Sequence, residues 1–294
     1  MLCLLVIKLN AQPFSYRTIP DSLKTDIKVN IKVTVDFIDL TTYLPKNYVV
    51  DGSVDYTRYV QKGINENNKV IFPRFPILIN DSGVELRSNS KVVFPHNSKL
   101  LLSTSNKRSY QILRVHNKKN ISVYSPNIRG DKYHHDGDTG EWGMGISIRG
   151  SENISVFNPY ISECWGDGIY IGYSKTPSQN VRIQGGVIDN NRRNGISVIS
   201  VDSLIIQNVL ISNSNGTDPQ TGIDIEPNSS SDEINNIIIN DLITFNNYHN
   251  GVLIHLDKLP GKVRKDVNIK INGFMDILSG RAVRVSGTYR GDKK

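Results

Sequence analysis

The chain has 294 residues, 38% of them hydrophobic, and 35 Lys and Arg against 28 Asp and Glu give a formal net charge of +7 at pH 7. The apolar fraction is low for a compact globule and compatible with, without being diagnostic of, a solenoid whose narrow core column is shared between neighbouring coils. The positive balance favours a polyanionic partner. Because no basic run sits on a nucleic-acid motif, no apolar run is long enough to span a membrane and two cysteines make no disulfide framework, acidic glycan is expected rather than nucleic acid.

In chain order, residues 1–11 open with an apolar stretch from Leu2 to Ile7 and read as the remnant of a secretory signal peptide, which predicts a secreted or periplasmic protein. Residues 12–50 form an N-terminal extension. The main domain is expected over 51–294 and begins with a helix over about 55–66, capped by Asp55 and carrying Tyr59, Val60 and Ile64. Lys69 to Pro73 then reads as a strand that the helix would cover.

From about residue 120 the chain repeats. Strand phrases of the form Asn-Ile-x-Val begin at Asn120, Asn153, Asn180, Ser203, Asn236 and Asn268. A second phrase, Gly-Ile-x-Ile, begins at Gly145, Gly168, Gly195, Gly222, Gly251 and, with alanine, at Ala282, at intervals of 23 to 31 residues. A looser third patch falls at Ile128, Ile161, Ile188, Ile211, Ile243 and Phe274. Three short alternating segments per repeat, with turns between them, describe one coil of a three-faced parallel β-helix whose alternate Ile and Val residues stack into an apolar column. Five Asn-x-Ser/Thr sequons occur, but Asn120 and Asn153 open strands, where side-chain amides bonding along the solenoid are the simpler reading.

The segments DYTRYVQKGINENNKVIFP and GEWGMGISIRGSENISVFNPYISECWGDGIYIG resemble the pectate lyase superfamily, over about residues 50 to 285. The resemblance implies an all-β chain, a right-handed three-faced parallel β-helix (solenoid) with a short N-terminal capping helix, on a scaffold that hosts many polysaccharide-processing reactions.

The outward members of the Gly-Ile-x-Ile strands predict two rows on one face. The first reads Ser147, Tyr170, Ser197, Asp224, Leu253, Arg284, and the second Arg149, Gly172, Ile199, Glu226, His255, Ser286. Asp224 and Glu226, in TGIDIEPN, are the leading catalytic candidates: two apart on a strand, their α-carbons lie about 6.5 to 7 Å apart on one side, a spacing that permits an acid and base pair for glycoside hydrolysis. Elimination would need a base, for which His255 and Tyr170 are candidates, and a cation to neutralise a uronate, for which Arg149 and Arg284 are candidates. Trp142 and Arg192 complete the expected substrate-binding set.

Asp167 in CWGDGIYIG resembles the aspartate of the Asp-Gly-Ile-x-Ile strand of polygalacturonases, although the Gly-His-Gly motif of that family is absent here. TGIDIEPN is distantly similar to a mannuronan epimerase strand, matching it only at Gly222 and Asp224. No cofactor is required by the sequence and no metal ligand is assigned; Asp131, Asp136 and Asp138 lack the spacing of a known Ca2+ loop. The expectation is a secreted polysaccharide-processing enzyme, a glycoside hydrolase or polysaccharide lyase acting on an acidic poly- or oligosaccharide. The alternative is a non-catalytic glycan-binding or tailspike-like adhesion protein, and an oligomer is compatible with either.

Overall fold

The computed structural model describes residues 13–24, 36–262 and 265–287. The expected signal remnant over 1–11 and Cys3 lie outside them, as do the last residues of the chain; Cys164 is a buried free thiol. The strands pair in parallel and coil into three faces. One face is an eight-stranded sheet that includes Ser109–His116, Trp142–Arg149, Ile169–Gly172, Ile196–Val198, Thr221–Ile225, Asn250–His255 and Arg281–Ser286. The other two, typified by Glu152–Phe157 and Tyr160–Ser162, belong to one hydrogen-bonded sheet, because the long strand Ile234–Phe245 bends through the corner and pairs with both.

The sequence repeat is the structural repeat. Ile146, Ile169, Ile196, Ile223 and Val252 stand in direct register and are fully buried, as are Ile148, Ile171, Val198 and Ile225 beside them. At roughly 1.5 to 3 kcal/mol for each large aliphatic side chain removed from water, these columns supply the main drive for stacking coils. The opening glycines are required by crowding at the corner: a Cβ on Gly168 would lie 2.8 Å from the carbonyl oxygen of Gly195 in the next coil. The third column departs from its expected course near the end. Ile211 registers with Thr244 rather than Ile243, and Thr244 donates to Asp276 Oδ1 at 2.6 Å, so the interior turns polar there. The corner itself is unchanged: Asn158, Asn208 and Asp241 take φ values of 48°, 54° and 52°, each three residues before the interior position, which is Ile161, Ile211 and then Thr244.

The asparagine ladder forms as expected. Asn120, Asn153 and Asn180 adopt φ values of 57°, 57° and 51°, a left-handed conformation that asparagine tolerates better than most residues. Their amides link the coils: Asn120 Nδ2 donates to Asn89 Oδ1 at 2.8 Å, Asn153 to Asn120 at 3.0 Å and Asn180 to Asn153 at 3.2 Å.

The capping helix spans Thr57–Glu66 and buries Val60 and Ile64, while Asp55 accepts from the Thr57 amide at 2.8 Å. The N-terminal extension adds something the sequence did not signal. Residues 13–24 lie along the outside of the face bearing Tyr160–Ser162, where Ile19 packs with Val187, Leu210 and Phe245. Asn213 holds the Arg17 backbone through both its amide oxygen and its amide nitrogen, at 3.2 and 3.0 Å.

Candidate active site

The first outward row forms as the alternation predicts; of the second, Arg149 registers with Gly172 and His255 with Ser286, while Ile199 and Glu226 lie just past the ends of strands Ile196–Val198 and Thr221–Ile225. Ser147 registers with Tyr170, Tyr170 with Ser197, Ser197 with Asp224, Asp224 with Leu253 and Leu253 with Arg284. What differs is burial. Ser147, Ser197 and Asp224 have no exposed surface and Tyr170 is almost covered: Arg193 and Asn194, from the turn before Ile196–Val198, reach over Ser197 and Asp224, and the strand residues His116 and Arg149 reach over Ser147 and Tyr170.

The centre of this cover is Arg193, which sequence reasoning passed over in favour of its neighbour Arg192. Arg193 Nη1 lies 3.2 and 3.3 Å from the two oxygens of Asp167 and 3.3 Å from Ser197 Oγ. Its Nε stands 3.5 Å from Glu141 Oε2, an ion-pair distance without hydrogen-bond geometry. Burial works against the Arg193 charge, but the carboxylates around it, Asp167 foremost, more than offset that and raise its pKa. Burial likewise raises the Asp167 carboxyl pKa, opposed chiefly by Arg193.

Asp224 sits one coil beyond. Asn194 Nδ2 donates to its Oδ2 at 3.1 Å and to Ser197 Oγ at 3.0 Å, while Asn194 Oδ1 accepts from the Thr221 amide. The other oxygen, Asp224 Oδ1, has no hydrogen-bond partner among the described residues. Burial above all, then the charges of Glu226 and Asp167, push the Asp224 pKa up from 3.8 to about 8 against the pull of Arg193 and Asn194. Glu226, two residues on, remains partly exposed. The cluster therefore unites Asp167 and Asp224 with Arg193 and Asn194, and sets the fully buried Asp224 carboxyl two residues from the partly exposed Glu226.

Toward the N-terminal coils the same face carries a second group. The Arg149 guanidinium lies 4.1 Å from the centre of the Tyr170 ring, a cation–π contact, and Arg149 Nε donates to Ser147 Oγ at 3.2 Å. His116, which registers with Arg149 one coil earlier, contacts Ser147 Oγ through Nε2 at 2.9 Å. Burial, reinforced by Arg149 and Arg114, lowers its pKa to about 4. His116 was legible in principle: the alternation of SYQILRVH continues the outward rows backward by one coil. Burial also raises the Tyr170 pKa, so its phenol holds its proton.

The remaining candidates are dispersed. His255 engages Ser286 Oγ through Nδ1 at 2.8 Å and Asp257 through Nε2 at 2.9 Å. Arg284 and Trp142 are exposed, on the last described coil and at the leading end of Trp142–Arg149 respectively. Arg192 does not point to the rows: its guanidinium stacks 3.8 Å from the Trp165 ring centre and donates to the Gly140 carbonyl at 2.7 Å, pinning the turn that precedes Trp142. Within that turn Asp131 is buried rather than presented to a groove, accepting from the Ser105 amide and Tyr110 and contacting His135 Nδ1 at 2.8 Å. Among the described residues no group of three or more His, Cys, Asp or Glu side chains is arranged to hold a metal ion, and no helix is long and apolar enough to cross a membrane.

Stacked parallel coils with a polar row of carboxylates and arginine on one face define a β-helix protein, and the chain belongs to the right handed beta helix region family, whose model matches residues 64–243. Its similarity to the SPbeta prophage-derived uncharacterized protein YorA of Bacillus subtilis (strain 168) is 26% identity over 214 residues, covering 67% of this chain and 36% of that protein. The chain thus spans about a third of the length of the curated relatives it matches. Among solved structures, the tailspike protein gp49 from Acinetobacter baumannii bacteriophage Fri1, a capsular polysaccharide depolymerase, shares the fold with a TM-score of 0.65 at 14% identity, over 86% of this chain and 48% of that one. The bacteriophage Phi29 gene product 12 N-terminal fragment does so with a TM-score of 0.62 at 19% identity, over 85% and 43%.

Proposed function

We propose that the protein is a carbohydrate-active enzyme that hydrolyses an acidic polysaccharide outside the cytoplasm, with Asp224 as general acid and Glu226 as general base. The observation that carries this reading is the uncommitted Oδ1 of Asp224, on a carboxyl that keeps its proton at neutral pH beside the partly exposed Glu226. In the reaction Asp224 gives its proton to the glycosidic oxygen as the C–O bond breaks. Glu226 takes a proton from the water that attacks the anomeric carbon. Asp167 positions Arg193, and Arg149 and Arg284 are the cations available to substrate carboxylates. Sugar entry requires the Arg193–Glu141 pair to move aside, since Asp224 is covered. The TM-score of 0.65 to a capsular polysaccharide depolymerase supports the substrate class at the level of scaffold alone.

Elimination is the poorer fit, because Tyr170 retains its proton and both His255 ring nitrogens are engaged. A second reading, a non-catalytic or tailspike-like glycan-binding protein, draws on the complete burial of Asp224. Incubation with a panel of acidic glycans, scoring reducing ends and unsaturated products separately, tests all three. Hydrolysis predicts reducing ends without unsaturated product, lost in Asp224→Asn and in Glu226→Gln. Unsaturated product means elimination, and no product from any glycan leaves binding.

A further inference from the structure

The corner between the faces carrying Glu152–Phe157 and Tyr160–Ser162 opens into a cleft of about 460 Å3, away from the Asp224 face. This volume falls within the range of small-molecule sites, roughly 300 to 1,000 Å3. One wall is Tyr160, 46% exposed on a rigid strand and flanked by Val187 on the next coil. Asn127, the register partner of Tyr160 on the preceding coil, and Ser98, a coil earlier still and 2% exposed, line the cleft below it. Asn127 Oδ1 and Ser98 Oγ are both buried without a hydrogen-bond partner among the described residues. Lys24, from the N-terminal segment laid across this face, and the exposed His96 stand at the rim.

We propose that this cleft is a second, non-catalytic site that binds one pyranose unit of an oligosaccharide. Buried polar atoms are paired in the great majority of cases, so two orphans lining one cleft point to a ligand that supplies hydroxyl groups. An amide oxygen and a serine hydroxyl accept from sugar hydroxyls without demanding charge on the ligand. The exposed face of Tyr160 offers the flat apolar surface against which the C–H face of a pyranose packs, its polar edge still reaching the floor. A peptide or a lipid chain matches this pairing of one aromatic wall and a neutral polar floor less well. The proposal does not depend on the chemistry assigned to Asp224.

Isothermal titration with tetragalacturonate and with cellotetraose tests it, applied to the whole chain and to Tyr160→Ala, Asn127→Leu and Asp224→Asn. The expected result is saturable binding of at least one oligosaccharide, weakened about tenfold or more by Tyr160→Ala, equivalent to at least about 1.4 kcal/mol. Asn127→Leu should weaken it similarly without lowering the thermal midpoint, because leucine removes an unpaired buried acceptor. Asp224→Asn should leave this component intact. Unchanged binding in Tyr160→Ala, or no binding of either oligosaccharide, overturns the proposal. Binding lost in Tyr160→Ala by a protein that yields no product from any glycan would sustain the cleft and dismiss the hydrolase reading, so the two fail separately.

Discussion

Replacing Asp224 by asparagine removes one proton equilibrium while keeping the shape of the side chain. The bond from Asn194 Nδ2 to Asp224 Oδ2, 3.1 Å long, has an equivalent acceptor in the asparagine carbonyl oxygen. In the unfolded chain Asp224 ionises near 3.8, whereas in the folded protein it holds its proton until about 8, mainly because it is buried. Between those values the unfolded state loses the proton first, so rising pH draws stability from the wild type at up to about 1.4 kcal/mol per pH unit. At pH 7 the accumulated loss approaches about 4 kcal/mol, and above pH 8 it levels off. Asparagine carries no such loss, and every other titrating group is common to both proteins. Asp224→Asn should therefore match the wild type near pH 4 and exceed it by a few kcal/mol at pH 7, while losing all product formation. Urea unfolding followed by far-ultraviolet circular dichroism at pH 4 to 8 measures the gap. A gap that does not change with pH, or a variant less stable at pH 7, refutes the neutral buried acid and the catalytic role built on it.

Arg193→Met leaves the buried Asp167 without its 3.2 Å partner, and breaking a buried pair costs about 3 to 5 kcal/mol. The loss in urea midpoint should shrink as pH falls and Asp167, already raised in pKa, takes up a proton. Asn153→Ala sacrifices amide bonds of 3.0 and 3.2 Å and puts alanine at a φ of 57°, for about 1 to 3 kcal/mol in chemical denaturation. Asn153→Gly should cost less, and the difference between the two reports the backbone share. Gly195→Ala drives a Cβ into the Ile211 side chain and within 2.7 Å of the Gly222 carbonyl, which should lower stability by about 1 to 3 kcal/mol by thermal melting.

Much of the fold was legible because each coil repeats the same solution: the glycine and the two isoleucines of Gly-Ile-x-Ile mark corner and core, and the amide ladder marks the next strand. The row order from Ser147 to Arg284 followed from alternation alone. Alternation says which side of a sheet a residue leaves, however, not whether something covers it. Alternation places Asp224 on the outward side, yet its cover comes from a turn whose course no periodicity encodes. The exchange of Arg192 for Arg193 has the same origin, since adjacent residues in an irregular turn diverge: one stacks on Trp165 and the other reaches Asp167. The N-terminal segment was equally silent, because Ile19 and Asn213 meet only through tertiary packing.

Asp167 and Arg193 are 26 residues apart in the chain, and Asn194 and Asp224 are 30 apart, yet each pair sits on neighbouring coils. Such a column behaves like beads on a rod. Duplicating or deleting one coil would slide every later side chain along the face by one step of about 4.8 Å, while the backbone ladders close again behind it. A lineage built this way can reshuffle which charged groups face one another without inventing a new backbone. Its members should then differ in length by whole coils, and loss of the coil bearing Arg193 would bring Asp167 and Asp224 onto adjacent rungs, two carboxylates with no cation between them.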